Sequence, residues 1–358
     1  MRLHHLTTET TDPAERGDAI GRAYGGFVRR GADRYLAHFD ALGIPADRVR
    51  DIVERSRVSL DAWYPALVVE SDAAAAAAGI QPWRAFAVAA RTEVLAVAPS
   101  AGEGECSTSV RVPADGGAPE TIQTWDWHDH LATDGLLLRL TAATGLGVKL
   151  FTEFGTAAKI GVNDAGLGVH FNILSHRSDS DAGGVPVHAI ARRILEEATT
   201  LDEARRIAAS ARVSASTVLT VAAYHDGIAE AASLELSPAG MAVVRPAAEG
   251  RLVHTNHFLD PALAEGDTSA DDSTTRARYA HASAVGGAMS GLPAAGRAAA
   301  FCGPHGGSAP ICVRPDAARP VHEQWGTLLT IALDLPGFGL EVHPGTPDEV
   351  AVHGFDRF

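Results

Sequence analysis

The texture of the chain changes at a cysteine. Up to Ala98 the apolar residues recur at helical spacing, and from Cys106 onward they fall into short β-prone runs divided by turn residues. Any fold must therefore place a helical first third against a strand-rich remainder, with Cys106 at the junction. Thr11-Asp12-Pro13-Ala14-Glu15 supplies a cap, a proline for the first turn and an acid behind it, so a helix is expected from there through Phe27. Helical spacing continues through Tyr35 and from Val49 to Leu60, then over 63–78 and from Pro82 to about Val97.

After the junction, Cys106 to Val112 and Thr121 to Trp127 flank the turn Asp115-Gly116-Gly117, which predicts a hairpin. Strands are expected at 136–140, 148–152, 159–162, 167–173, 217–223, 228–234, 241–244, 252–254, 328–333 and 340–343. Helices are expected at 186–197, 201–209 and 276–288, the last after an acidic loop over 260–274. Strands in series with grouped helices point to an α+β protein of two sheets under helical layers, not to a strict βαβ alternation.

A 46% hydrophobic and 21% charged composition is that of a globular protein, and the net charge of −14 argues against nucleic acid as partner. Three widely spaced cysteines, Cys106, Cys302 and Cys312, make no disulfide framework and suggest a reducing compartment. The polar amino terminus, and the lack of any run of about 18 apolar residues, lead us to expect a cytoplasmic protein that does not span a membrane.

Several blocks stand out together: Cys106-Ser107-Thr108, Trp125-Asp126, the run from Gly161 to Val169 with Asn163-Asp164-Ala165-Gly166 at its centre, Phe171-Asn172, Gly184-Val185-Pro186, Val253-His254-Thr255-Asn256-His257 and Ile311-Cys312. Jointly they resemble the penicillin (isopenicillin-N) acyltransferase family of N-terminal nucleophile hydrolases. The resemblance implies a four-layer αββα sandwich with two antiparallel sheets. It also implies self-cleavage between Glu105 and Cys106, giving a helical fragment 1–105 that stays associated with a catalytic fragment 106–358. By the same resemblance Cys106 is the nucleophile, Asp126 orients its new amino group, and Asn256 donates to the oxyanion. Asn172 would lie near the pocket. The family's late arginine directly follows Ile-Cys; Val313 stands there, and Arg314, one step on, is the candidate to pair with Asp126.

The chemistry is self-consistent, because a liberated α-amine titrates near pH 8 and can take the proton of its own residue's thiol. An acyl group would then pass through Cys106 to water or an amine, with no cofactor required and an acyl-coenzyme A among the conceivable donors. Two alternatives remain at this level. The pairs His128/His130 and His254/His257 could ligate a metal in a metal-dependent hydrolase, although no established metal-binding spacing is present. An uncleaved relative that only binds a small ligand is the other.

Overall fold

The structure is a computed structural model and describes residues 1–98, 106–270 and 273–358. The expected end of the helical region at 99–102 and the whole of Glu105 lie outside the described residues. The first layer comprises β1 (Arg2–Thr7), α1 (Pro13–Ala41), α2 (Ala46–Trp63), α3 (Pro65–Ala78), α4 (Pro82–Ala89) and α5 (Arg91–Leu95). Then follow β2 (Cys106–Arg111), β3 (Glu120–Trp127), β4 (Asp134–Thr141), β5 (Gly147–Glu153), β6 (Ile160–Asn163) and β7 (Leu167–Ile173). After α6 (Val187–Glu197) and α7 (Leu201–Ser210) come β8 (Thr217–His225), β9 (Ile228–Ser237), β10 (Gly240–Val244) and β11 (Arg251–His254). The chain ends with α8 (Pro261–Ala264), α9 (Thr275–Met289), α10 (Ala294–Cys302), β12 (Gly326–Asp334), β13 (Gly339–His343), α11 (Pro347–His353) and β14 (Asp356–Arg357).

Two sheets result. One has eight strands in the order β1-β4-β5-β6-β7-β8-β9-β10, the other six in the order β11-β2-β3-β12-β13-β14. They face each other through β2 on β7 and through β12 and β13 on β5 and β6. Helices α6 and α7 cover the outer face of the first sheet, and α9 and α10 that of the second. This is the four-layer αββα sandwich that the family resemblance implies. One difference is that β1 joins the edge strand β4 in parallel, Arg2 opposite Asp134. A parallel pair needs a long crossover, and the helical third plus the β2–β3 hairpin provides it.

Helix α1 begins where its cap predicts: Asp12 accepts from the backbone N–H groups of Ala14 and Glu15. It then lies unusually close to α3, because Gly17 and Gly21 face that helix. A Cβ on Gly21 would sit 2.5 Å from the Ala74 carbonyl oxygen, so no larger residue fits without moving the helices apart.

A buried ion network ties this helical layer to the rest. Glu70 of α3 accepts from Arg16 of α1 at 2.6 Å and from Arg192 of α6 at 2.9 Å. Arg192 also donates to Glu196, which accepts from Tyr64. Tyr35 of α1 donates to Glu153 at the end of β5, and Glu93 of α5 accepts the N–H of Val187 at the start of α6. No described helix is long and apolar enough to cross a membrane.

Candidate active site

Strand β2 pairs antiparallel with β3, placing Cys106 opposite Trp125 and Ser107 opposite Thr124. The cysteine therefore opens a central strand of the six-stranded sheet and is buried. Its backbone N–H donates to Asn256 Oδ1 at 2.8 Å. Asn256 follows the end of β11, the neighbour of β2, so the ladder itself brings the two residues together. The second end of the amide, Nδ2, donates to the Ile173 carbonyl at 2.9 Å.

The arginine at this site is Arg278 of α9. Its Nη1 donates to the Cys106 carbonyl at 2.6 Å and to Ser107 Oγ at 3.1 Å, and its Nη2 donates to Asn256 Oδ1 at 2.9 Å. One guanidinium thus fixes both the peptide of the cysteine and the side chain that holds the cysteine's nitrogen. Arg314 lies elsewhere: half exposed, it donates to the Gly307 carbonyl and pairs with Asp348 at 2.9 Å. The expectation for Arg314 is corrected accordingly. Residues 311–325 lie between α10 and β12, outside both sheets, so no strand register carries that side chain to Cys106. Arg278 had a signal of its own, since it lies one, two and three turns before the buried Ala282, Val285 and Met289 on one helix face.

Asp126 is buried on β3, and its charge is felt at Cys106. Burial first, then Asp126, push the Cys106 thiol up to about 12, while Lys159, hydrogen bonding from the Asp126 backbone and Arg278 act in the opposite direction. Asn172 ties the two sheets together: its Oδ1 accepts from Thr108 and Gln123, and its Nδ2 donates to the His254 carbonyl. Those bonds engage both ends of its amide.

Three of the four paired histidines have polar contacts of their own, and the rings of His128 and His130 stand edge to face 5.5 Å apart. His254 contacts Glu235 at 2.8 Å, His257 contacts Thr275 Oγ1 at 3.0 Å, and His128 contacts the Gln324 carbonyl at 2.9 Å. Among the described residues no group of three or more His, Cys, Asp or Glu is arranged to hold a metal ion. A cavity of about 30 Å³ between Leu95 and Ala96 on one side and Trp127 and Leu174 on the other is lined by Ile173, whose carbonyl holds Asn256, but by neither Cys106 nor Asn256. A larger one, about 70 Å³, lies beneath the first helical layer and touches neither Cys106 nor Asn256.

Cys106 and Asn256, both singled out by the family resemblance, thus lie together at the head of a sandwich strand. Residues 115–286, just under half of the chain, match the family model described as acyl-coenzyme A:6-aminopenicillanic acid acyl-transferase. The chain is also 34% identical over 140 residues to the acyl-coenzyme A:6-aminopenicillanic-acid-acyltransferase 40 kDa form of Emericella nidulans. That segment spans 38% of each protein. The likeness to the penicillin acyltransferase family is thus found beyond the short motifs.

Solved structures of similar shape include a mutant form of the conjugated bile acid hydrolase from Clostridium perfringens, with a TM-score of 0.38 and 12% identity over 66% of this chain and 89% of that one. An N-acylethanolamine-hydrolyzing acid amidase orthologue from Caenorhabditis elegans gives 0.43 and 14% over 65% and 93%. Penicillin V acylase from Agrobacterium tumefaciens gives 0.36 and 14% over 67% and 83%. The fold assignment rests on this chain's own two sheets and their helical covers.

Proposed function

We propose that the chain is a cysteine amidohydrolase or acyltransferase that activates itself by cutting between Glu105 and Cys106. The observation that carries this reading is the bond from the Cys106 backbone nitrogen to Asn256 Oδ1, with Arg278 gripping both partners. A side-chain acceptor devoted to one backbone nitrogen has a clear use if that nitrogen becomes a free amine, because it then aims the amine's remaining lone pair and hydrogens.

In the cut protein the Cys106 amine takes the thiol proton, and the sulfur attacks the acyl carbon of an amide or thioester. The tetrahedral oxyanion is met by the hydrogen of Asn256 Nδ2 that Ile173 does not use, a donor of the kind worth about 10²- to 10³-fold in rate. Collapse expels the amine or thiol, which takes the proton held by the Cys106 ammonium, and leaves an acyl-enzyme; water or an acceptor amine then attacks the thioester, gives up a proton through the same α-amine, and releases the Cys106 thiol. Asp126 steadies the ammonium form. No cofactor enters these steps, and acyl-coenzyme A is one donor the chemistry admits.

The fragments 1–105 and 106–358 stay together in this account, because the Arg16–Glu70–Arg192 network and the Tyr35–Glu153 bond cross between them inside the core. A panel of acyl amides and acyl thioesters tests the activity. Wild-type protein turns over at least one of them and Cys106→Ala none; turnover that survives Cys106→Ala and disappears with a chelator would replace this reading by a metal-dependent one.

A further inference from the structure

Lys159 immediately precedes β6 and is buried between the two sheets. Its ammonium lies 4.5 Å from the centre of the Trp125 ring, 5.4 Å from that of Phe171 and 5.8 Å from that of Trp127. Trp125 is the residue opposite Cys106 in the β2–β3 ladder, and opposed residues of an antiparallel pair point to the same face. Lys159 and the Cys106 side chain therefore share one inner face of the sandwich.

The groups around Lys159 leave a charge over. From α5 comes Arg91, from β5 Glu153, from α6 His188 and from β2 Cys106, while Glu93 of α5 and Tyr35 of α1 act on Arg91. Glu153 is already taken, with Arg91 at 2.7 Å on one oxygen and the Tyr35 hydroxyl at 2.7 Å on the other; Lys159 stands 3.6 Å off. Burial keeps His188 neutral, and burial pushes Glu93 up to about 8, so neither adds a negative charge at neutral pH. Two cations thus share one carboxylate. Burial, then Arg91, bring Lys159 itself down to about 7, while Glu153 and Cys106 draw it back up. Of the groups that act on Lys159 directly, the Cys106 thiol lies on the same inner face, and its ionisation would balance the second cation.

We infer that Lys159 is a positioning residue for the nucleophile: its caged ammonium is the counter-charge for the thiolate that Cys106 forms when its proton leaves. When the thiol S–H breaks, its proton goes to the α-amine or to a neutral Lys159, and the negative sulfur is left facing the Lys159 charge. The inference rests on Cys106 being the nucleophile of the proposed acyl transfer, and Lys159 acts through the sulfur without touching the acyl group.

The test is the pH dependence of Cys106 alkylation by iodoacetamide, followed by mass spectrometry of the labelled residue, in wild type, Lys159→Met and Lys159→Arg. An opposite charge close by lowers a thiol's titration by about one unit or more, so the Lys159→Met profile moves to higher pH by about that amount and Lys159→Arg stays with wild type. Coincident profiles for wild type and Lys159→Met overturn the inference. Should Lys159→Met not fold, Lys159→Gln replaces it with the same two outcomes. A wild-type Cys106 that takes no label at any pH, while Cys302 or Cys312 does, instead defeats the proposed function on which the inference stands.

Discussion

Replacing Arg278 by methionine keeps much of the buried stem and removes the guanidinium that links Asn256 Oδ1, at 2.9 Å, to the Cys106 carbonyl, at 2.6 Å. A hydrogen bond from a charged group contributes about 1.5–3 kcal/mol, so the two together amount to about 3–6 kcal/mol. Asn256 keeps a third tie, Nδ2 to the Ile173 carbonyl at 2.9 Å, which limits how far it can swing. We therefore place the loss in transition-state stabilisation near the lower bound, about 3 kcal/mol or about a hundredfold in kcat/KM. Initial rates on the best amide or thioester of the panel give the number, and a thermal melt separates lost alignment from lost folding. Arg278→Lys retains the charge without the fork that spans two acceptors, so it recovers at most about tenfold of the loss. A folded Arg278→Met variant whose kcat/KM lies within about threefold of wild type would refute the reasoning.

Glu70→Ala leaves Arg16 and Arg192 buried together without the carboxylate they share, which is expected to cost about 3–5 kcal/mol in urea unfolding; a loss below about 1 kcal/mol would show that the network does not hold the helical layer. Acid should destabilise the protein through its buried histidines: burial keeps His170 down to about 3, and His257 and His130 down to about 4. The unfolded chain takes up protons from about pH 6.5 downward that the folded chain refuses, so this stability is complete above about pH 6.5 and is lost as pH falls toward those values. Urea midpoints that do not drop between about pH 7 and pH 5 would contradict that sign.

Much of the fold was legible because the strands of the second half are short, β-prone and separated by turn residues. Leu167–Ile173 and Leu340–His343 illustrate how closely such runs can be bounded, the second opening one residue earlier in the structure. Strand β1 was not legible, since Arg2–Thr7 is half exposed and its pairing with β4 depends on a partner more than a hundred residues away. Helix α10 was hidden by its composition, an alanine-rich run with little apolar contrast between its faces. At the site, Cys106 and Asn256 were singled out by the family resemblance, and the structure sets the nitrogen of one on the side chain of the other. Arg278 had only its place on the apolar face of α9 to mark it, and Lys159 had nothing, because a charged side chain reads as surface until the packing around it is known. The family's Ile-Cys spacing directed the search for the arginine to Arg314, one step past Val313, and the structure leaves that side chain at the surface with Asp348.

The central claim is that the Glu105–Cys106 peptide bond is broken in the working protein. Denaturing electrophoresis with amino-terminal sequencing of purified wild type and Cys106→Ala measures this directly. The account predicts two wild-type fragments, the larger beginning at Cys106, and a single uncut chain for Cys106→Ala. A fully active wild-type protein running as one intact chain would contradict it.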